Sequence, residues 1–117
     1  MAHANYQEER PWGSFTVLFE APTYKVKEVR VKPGCRLSYQ THAKRSEHWL
    51  VVAGTARVVL NDKEIMLTAG ESLGVPIGVK HRFGATEEGE MILIEVQRGA
   101  YLGEDDIVRL EDDYQRA

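Results

Sequence analysis

Residues 34–54 read GCRLSYQTHAKRSEHWLVVAG, and this stretch decides which fold we expect. Gln40 and His42 are two residues apart, so on a β-strand their side chains share one face. Glu47 follows after four residues, which allows a tight turn into the apolar run at 49–52. An amide oxygen, an imidazole and a carboxylate gathered in this way are donors that a divalent metal ion binds. The stretch therefore predicts part of a metal site carried by β-strands.

The size and charge of the chain restrict the classes of protein to consider. Its 117 residues are enough for one domain and one core. With 43% hydrophobic and 28% charged residues, the composition is that of a soluble globular protein. The formal net charge of −3 argues against nucleic-acid binding, for which a basic surplus is usual. A small anionic substrate stays possible, because it needs only a few local cations.

The single cysteine and the lack of long apolar runs indicate where the protein works. Cys35 has no second cysteine to pair with, which fits a reducing compartment, and we expect it to be a small buried or half-buried residue. No apolar run approaches the roughly 18 residues of a membrane helix, and the first residues show no signal-peptide pattern. The sequence therefore predicts a cytoplasmic protein that does not contact a membrane.

Short alternating segments separated by turn residues predict an all-β fold. Residues 14–20 place Phe15, Val17 and Phe19 on one face. Further strands are expected at residues 24–31, 49–52, 55–60, 64–67 and 91–97. Because the strands are short and no long amphipathic helix is present, we predict a small sandwich or barrel.

The two ends of the chain are less patterned. Residues 1–9 are polar and are expected to form a loose lead-in to a single domain at 10–117. Trp12, in the turn that follows, is expected to pin this turn to the body of the protein. The acidic residues at 104–106 are expected to start either a short helical turn or an edge strand.

Two lysines are predicted to point into the barrel. If Val29 and Val31 face inward, the alternation of the strand puts Lys25 and Lys27 on the same inner face. A buried ammonium group is costly unless it meets an anion. Lys27 is therefore either a residue that meets a bound anion or a lysine that simply reaches solvent.

A second patterned segment completes a resemblance to a known superfamily. Gly70, Pro76, Gly78 and His81 follow one another at the spacing Gly-x5-Pro-x-Gly-x2-His. Together with residues 34–54, this segment resembles the paired motifs of the cupin superfamily. The chain departs from the cupin motifs by having Gln40 in place of the first histidine and Ala85 in place of an asparagine. The resemblance implies a double-stranded β-helix, or jelly-roll barrel, with a metal site inside.

A narrower resemblance covers roughly residues 10–116. The chain is similar to the isomerase domain of the type II mannose-6-phosphate isomerases, whose usual Tyr-Gly-Arg near the C-terminus reads Tyr-Gln-Arg here. The segments that carry this similarity are RPWG at 10–13, VK at 26–27, PG at 33–34, LSYQTH at 37–42, RSEHW at 45–49, VVAGTA at 51–56, KHR at 80–82, IEVQ at 94–97 and GAYLGEDDIVR at 99–109. Family members usually carry this domain behind a guanylyltransferase domain, and we expect no guanylyl transfer from the present residues.

This resemblance implies a metal site and a reaction. Mannose-6-phosphate isomerases hold their metal with a glutamine, two histidines and a glutamate, which implies Gln40, His42, Glu47 and His81 as ligands. One divalent ion per chain is expected, with Zn²⁺ favoured and Co²⁺ or Mn²⁺ also suited to this donor set. His48 neighbours Glu47 and is expected to point to the opposite face, as a packing or supporting residue.

The implied reaction interconverts mannose 6-phosphate and fructose 6-phosphate through an enediol. Glu95 lies in an apolar strand and is a candidate for the general base, with a structural carboxylate as the alternative. Lys27 and Arg109 are candidates for stabilising the enediolate or holding phosphate. Candidate substrate-binding residues are Arg10, Arg45, Lys80, Arg82 and Gln97.

Other functions fit the same scaffold. One is a different cupin enzyme, either an isomerase or epimerase of another phosphosugar or a dioxygenase, although the oxygen-rich ligand set disfavours the last. Another is a non-catalytic module that binds a sugar or a metal. Because small cupins pair through edge strands, we also predict a homodimer.

Overall fold

The computed structural model describes residues 6–114, which fold into strands and connecting turns without a helix in that range. The strands, numbered along the chain, are β1 (Tyr6–Arg10), β2 (Gly13–Glu20), β3 (Tyr24–Val31), β4 (Tyr39–Thr41), β5 (Arg45–Ala53), β6 (Thr55–Leu60), β7 (Lys63–Thr68), β8 (Ser72–Val75), β9 (His81–Ala85), β10 (Met91–Gly99) and β11 (Val108–Glu111). The predicted all-β class is confirmed. The tail contributes an edge strand, β11, that begins a few residues later than the acidic cluster.

The strands form two sheets, and the pairing within both is antiparallel. One sheet has six strands in the order β1-β2-β3-β10-β5-β8, and the other has five in the order β11-β4-β9-β6-β7. β10 lies between β3 and β5, so a late strand completes a sheet begun by early ones. Such crossovers are typical of jelly rolls, which confirms the cupin-type barrel.

The interior of the barrel changes from apolar to polar along its axis. Inward-facing residues opposite one another across β3, β10 and β5 form three successive rows: Val29, Leu93 and Val51; Lys27, Glu95 and Trp49; Lys25, Gln97 and Glu47. All nine side chains are buried. The first row belongs to the hydrophobic core, and the third consists of polar and charged groups only. The sequence thus builds a core at one end of the barrel and a polar cavity at the other.

Two motif glycines occupy turns that only glycine fits well. Gly54 has φ of 75°, and a Cβ there would lie 2.3 Å from the carbonyl oxygen of Glu90. Gly78 has φ of 82°, and its N–H donates to the carbonyl of His42 at 2.9 Å. This bond ties the turn before His81 directly to the first motif segment.

The structure corrects two expectations about the start of the chain. Residues 6–9, expected as part of a loose lead-in, belong to β1, which pairs with β2 as an edge strand through its backbone; residues 1–5 lie outside the described range. Phe19, expected to face inward, is 36% exposed, because an irregularity between Val17 and Phe19 shifts the register. It stacks on Tyr24 instead.

The expected interior positions of Trp12, Lys25 and Lys27 are confirmed, since all three are buried. Cys35 is partly buried, as expected. Among residues 6–114 we find no helical segment with the length and hydropathy needed to cross a bilayer.

Candidate metal centre

Three side chains from three strands or strand ends converge in the polar half of the barrel. His42 follows β4, Glu47 lies in β5, and His81 opens β9. One ligating atom from each lies within 4.8 Å of the others, and all three residues are buried. The two histidine rings have centroids 4.9 Å apart. The arrangement brings two nitrogens and a carboxylate oxygen to one point, as the sequence predicted.

Backbone carbonyls fix the orientation of both histidines. The Nδ1 atom of His42 lies 2.6 Å from the carbonyl oxygen of Asp106, and Nδ1 of His81 lies 2.8 Å from that of Val79. Because a carbonyl oxygen only accepts, Nδ1 of each ring carries a proton, so in the neutral ring Nε2 is the nitrogen with the free lone pair. Burial also lowers the pKa of His42, which keeps its ring neutral. Metal-binding histidines are usually held in this manner.

One buried atom supports the assignment of a metal site. Nε2 of His81 is shielded from solvent and has no hydrogen-bond partner within the described part of the chain. An unpaired buried acceptor costs free energy unless another group satisfies it. A divalent cation at this position would do so, and the donor set of two imidazoles with oxygen ligands suits such an ion.

Gln40 is placed to supply a second oxygen. It lies on β4 directly opposite His81 on β9. Its Nε2 donates to the carbonyl oxygen and to Oγ of Ser38, at 3.2 and 3.0 Å. These bonds use the amide nitrogen, so Oε1 is the atom left to act as a ligand. The residues present therefore fit a divalent metal ion.

Glu47 is held as an ionised carboxylate. Its oxygens accept from Nε of Arg45 and from Nε1 of Trp49, each at 2.9 Å. Burial by itself would raise the pKa of Glu47, but Arg45 and the two histidines lower it to about 2. Nη2 of Arg45 also lies 3.1 Å from Nε2 of His42. Binding of a metal by His42 therefore requires Arg45 to release that nitrogen.

A second buried carboxylate faces the same cavity. Glu95 lies opposite Lys27 across the β10–β3 pair, and one of its oxygens accepts from Nε2 of Gln97 at 2.6 Å. Burial, and after it the negative charge of Glu47, raises the pKa of Glu95 to about 7, although Lys27 and Arg45 act in the opposite direction. The two carboxylates of the cavity thus differ strongly in proton affinity.

Lys27 meets the anion that its burial requires. Its Nζ lies 3.2 Å from a carboxylate oxygen of Glu104 and 4.1 Å from the centre of the Phe15 ring. Lys25, one step along the same strand face, has its Nζ 3.8 Å from the same oxygen. The Glu104 side chain is about half exposed, so this ion pair lies at the mouth of the cavity.

The structure brings most of the predicted site residues to one cavity. Its lining includes Arg10, Lys27, Gln40, His42, Arg45, Glu47, His81, Arg82, Glu95, Glu104 and Arg109.

Two residues that were expected to bind substrate do not line this cavity. Lys80, just before β9, is half-buried, and its Nζ pairs with Asp62 at 2.9 Å, while its neighbour His81 takes the inward position. Gln97 is fully buried behind Glu95, outside the lining. His48 lies on the opposite face from Glu47, as expected, but it is exposed there, which differs from the packing or supporting role expected of it.

Sequence reasoning missed the supporting residues. Ser38 orients Gln40, Asp106 holds His42, and Glu104 neutralises Lys27. Ser38 was identifiable, since it lies two residues before Gln40, the spacing at which side chains of an extended segment share a face. The other two lie more than 60 residues from the groups they contact, and no local pattern indicates such contacts.

A jelly-roll barrel with a buried cluster of His42, Glu47 and His81 defines a cupin whose interior could hold a metal ion. The chain belongs to the family described as mannose-6-phosphate isomerase C-terminal, whose pattern matches residues 1–112.

Relatives agree with this assignment, and a solved structure shares the fold. Alginate biosynthesis protein AlgA of Pseudomonas aeruginosa is 50% identical over 107 residues, which is 92% of this chain and 22% of the relative. A mannose-1-phosphate guanylyltransferase of Salmonella montevideo is 45% identical over 115 residues, covering 97% and 24% of the two chains. The chain thus spans about a quarter of the length of these relatives. The capsular polysaccharide assembling protein CapF of Staphylococcus aureus shares the fold, with a TM-score of 0.80 and 23% identity over 92% of this chain and 34% of that chain.

Proposed function

We propose that the protein is a metal-dependent mannose-6-phosphate isomerase that interconverts mannose 6-phosphate and fructose 6-phosphate. The observation that carries the proposal is the convergence of His42, Glu47 and His81 beside a buried carboxylate, Glu95, whose pKa is raised to about 7. Membership of the isomerase family supports the choice of substrate. The proposal assigns isomerase activity to this chain by itself, although the chain covers about a quarter of the length of its relatives.

The metal would be held by Gln40, His42, Glu47 and His81, and Zn²⁺ suits these donors, with Co²⁺ or Mn²⁺ as alternatives. When bound, such an ion polarises a carbonyl group and stabilises negative charge that develops on oxygen. Burial favours the neutral form of His42, and Arg45 keeps Glu47 ionised, so these two side chains are already in the protonation states that bind a metal.

Proton transfer is assigned to Glu95. Conversion of the aldose to the ketose moves a proton from C2 to C1 and the hydroxyl proton from O2 to O1, through an enediol, with no net gain or loss of protons. A buried carboxylate with a pKa near the working pH can accept the proton from C2 and deliver it to C1. The bond from Gln97 fixes the orientation of the carboxylate.

The cations of the cavity are assigned to the phosphate and to the developing enediolate. Lys27, Arg45, Arg82 and Arg109 all line the cavity, together with Arg10 at the end of β1. Guanidinium groups bind phosphate oxygens in pairs, and a buried ammonium attracts an oxyanion strongly. In this structure Lys27 holds a carboxylate, that of Glu104, which supports its ability to bind an anion.

The test is a coupled assay on a panel of sugar phosphates. Purified protein supplied with Zn²⁺ or Co²⁺ is expected to convert mannose 6-phosphate to fructose 6-phosphate and to act poorly on other aldose phosphates. If the protein converts a different phosphosugar and not mannose 6-phosphate, the proposed substrate is wrong. No turnover of any member with any metal would overturn the isomerase.

A second candidate is a non-catalytic module that binds phosphosugars. It is favoured by the contact between Nη2 of Arg45 and Nε2 of His42. In this contact the nitrogen that would bind a metal accepts a hydrogen bond from a guanidinium group of the protein instead. Titration calorimetry that shows tight binding of mannose 6-phosphate to metal-free protein, with no turnover after metal is added, would support this candidate over the isomerase.

We also propose that the protein acts in the cytoplasm as a homodimer. The single thiol, Cys35, is consistent with a reducing compartment. β8 and β7 end the two sheets and offer unpaired edges through which a second copy could pair.

A further inference from the structure

We propose that Asp106 is a positioning residue for His42, and that it sets both the tautomer of that histidine and the affinity of the metal site. The part of this proposal that concerns metal affinity rests on the proposed function. The part that concerns the tautomer can be tested on the metal-free protein. Asp106 lies in the segment between β10 and β11, 64 residues beyond His42.

Asp106 forms three hydrogen bonds with residues 42–44. Its carbonyl oxygen accepts from Nδ1 of His42 at 2.6 Å. Its carboxylate oxygens accept from the backbone N–H groups of Ala43 and Lys44, each at 2.9 Å. Asp106 is 9% exposed, so these bonds are shielded from water. The side chain therefore anchors the backbone carbonyl that in turn orients the ring.

The anchor is needed because His42 lies just beyond the end of β4. The ladder hydrogen bonds of the strand stop at Thr41, and the next residues enter a turn before β5. The other ring nitrogen, Nε2, lies 3.1 Å from a donor, Nη2 of Arg45, and 3.3 Å from an acceptor, a carboxylate oxygen of Glu47. These two contacts favour opposite tautomers, so the proton can exchange between Nδ1 and Nε2 once Nδ1 loses its fixed acceptor. With the proton on Nε2, the atom that faces Glu47 at 3.3 Å would be a donor and could not bind a metal.

His81 offers an internal reference. Its Nδ1 is held by the carbonyl of Val79, two residues away in its own segment, and no contact with Asp106 is involved. Loss of the Asp106 carboxylate is therefore expected to affect His42 and to leave the tautomer of His81 unchanged.

The experiment compares Asp106→Ala and Asp106→Asn with Asp105→Ala as the matched control. Asp105 is the adjacent acidic residue, and its carboxylate accepts from the hydroxyl of Tyr101 rather than from the His42 segment. Nitrogen-15 NMR of the imidazole rings in chelator-treated protein reports the tautomers. Competition with a chromogenic chelator for Zn²⁺ reports the dissociation constant, and the thermal midpoint reports global stability.

In the wild type and in Asp105→Ala, His42 is expected to carry its proton on Nδ1. In Asp106→Ala, the Nδ1–H and Nε2–H forms are expected to exchange, and the dissociation constant for Zn²⁺ to rise about 10- to 100-fold, the usual cost of losing a group that orients a ligand. Asp106→Asn keeps one acceptor oxygen, should give intermediate values, and carries the test if the alanine variant does not fold.

An unchanged tautomer and a dissociation constant within twofold of the wild type in both variants would overturn the inference. A wild type that binds no metal would contradict the proposed function instead, and the tautomer measurement would still decide the role of Asp106.

Discussion

The pKa values of two buried carboxylates in one cavity are shifted in opposite directions, that of Glu47 downward and that of Glu95 upward. The neighbours of each residue explain the difference. Glu47 has a guanidinium and an indole N–H bonded to its oxygens, which stabilise its charge. Glu95 is equally buried, but its hydrogen-bond donor is a neutral amide, that of Gln97. Separation of two such pKa values is the arrangement by which enzymes assign one carboxylate to charge stabilisation and another to proton transfer.

Replacing Glu95 by Gln removes the proposed base and keeps the shape of the side chain. We expect kcat for mannose 6-phosphate to fall by about 10²- to 10⁴-fold, the usual contribution of a general base. The number of metal ions bound per chain should not change, because Glu95 is not a proposed ligand. The coupled assay and metal analysis test this, and a variant with wild-type kcat would exclude Glu95 as the base.

The same residue should make folding stability depend on pH. The folded pKa of about 7 lies above the ordinary value of about 4.3, so the folded state holds the proton more tightly than the unfolded state. Stability is therefore lost as pH rises between these two values.

In chelator-treated protein, Glu95→Gln should be more stable than the wild type at pH 8, by on the order of 1–3 kcal/mol, and the difference should shrink toward pH 5. Urea denaturation at both pH values measures it. A difference that is constant with pH would mean that the pKa of Glu95 is not raised.

At the scale of elements, β9 depends on a close approach that only glycine permits. A Cβ on Gly84 would lie 2.6 Å from both the Cβ of Arg36 and the carbonyl oxygen of Cys35. The backbone of residues 35–36 pairs with this strand, and His81 lies at its start. The position of this ligand is therefore coupled to the packing beside Gly84.

Gly84→Ala is expected to destabilise the fold by roughly 1–3 kcal/mol, since overpacking of a well-filled site has this cost. Gly89→Ala is the matched control, because a Cβ there meets no atom of the described segment 6–114 within 4 Å. Chemical denaturation of both variants provides the comparison. Equal midpoints would show that the chain relaxes around the added methyl group at no cost.

The sequence predicts an element well when the interactions that form it are local along the chain. Alternation of side chains along a strand is local, so the pattern around Val29 placed Lys27 inside the barrel correctly. The same rule failed at Phe19, because the irregularity in β2 changes the face after Val17. β1 was missed because its residues are charged and its pairing comes from the backbone.

The ligands of the candidate site were predictable because each lies in a short motif. Asp106 and Glu104 were not, since the groups that they contact, His42 and Lys27, are more than 60 residues away in sequence. Lys80 was placed in the site by its proximity to His81 along the chain, but successive residues of a strand point to opposite faces. The homodimer and the identity of the metal stay predictions.

At the scale of the whole molecule, charge is distributed unevenly between surface and cavity. The chain has 15 Lys and Arg against 18 Asp and Glu, a net charge of −3. Among residues 6–114, four Lys and Arg side chains are nevertheless buried, namely Lys25, Lys27, Arg45 and Arg82. An acidic protein that buries cations beside a candidate metal site concentrates its positive potential where an anionic substrate would bind.

The central claim is that the cluster of His42, Glu47 and His81 holds a divalent metal on which isomerisation depends. The most direct test is a titration of chelator-treated protein with Zn²⁺, in which bound metal and turnover of mannose 6-phosphate are followed together. We predict that both rise in parallel and level off at one ion per chain, and that His81→Ala shows neither. Turnover that persists without metal, or metal bound equally well by His81→Ala, would contradict the account.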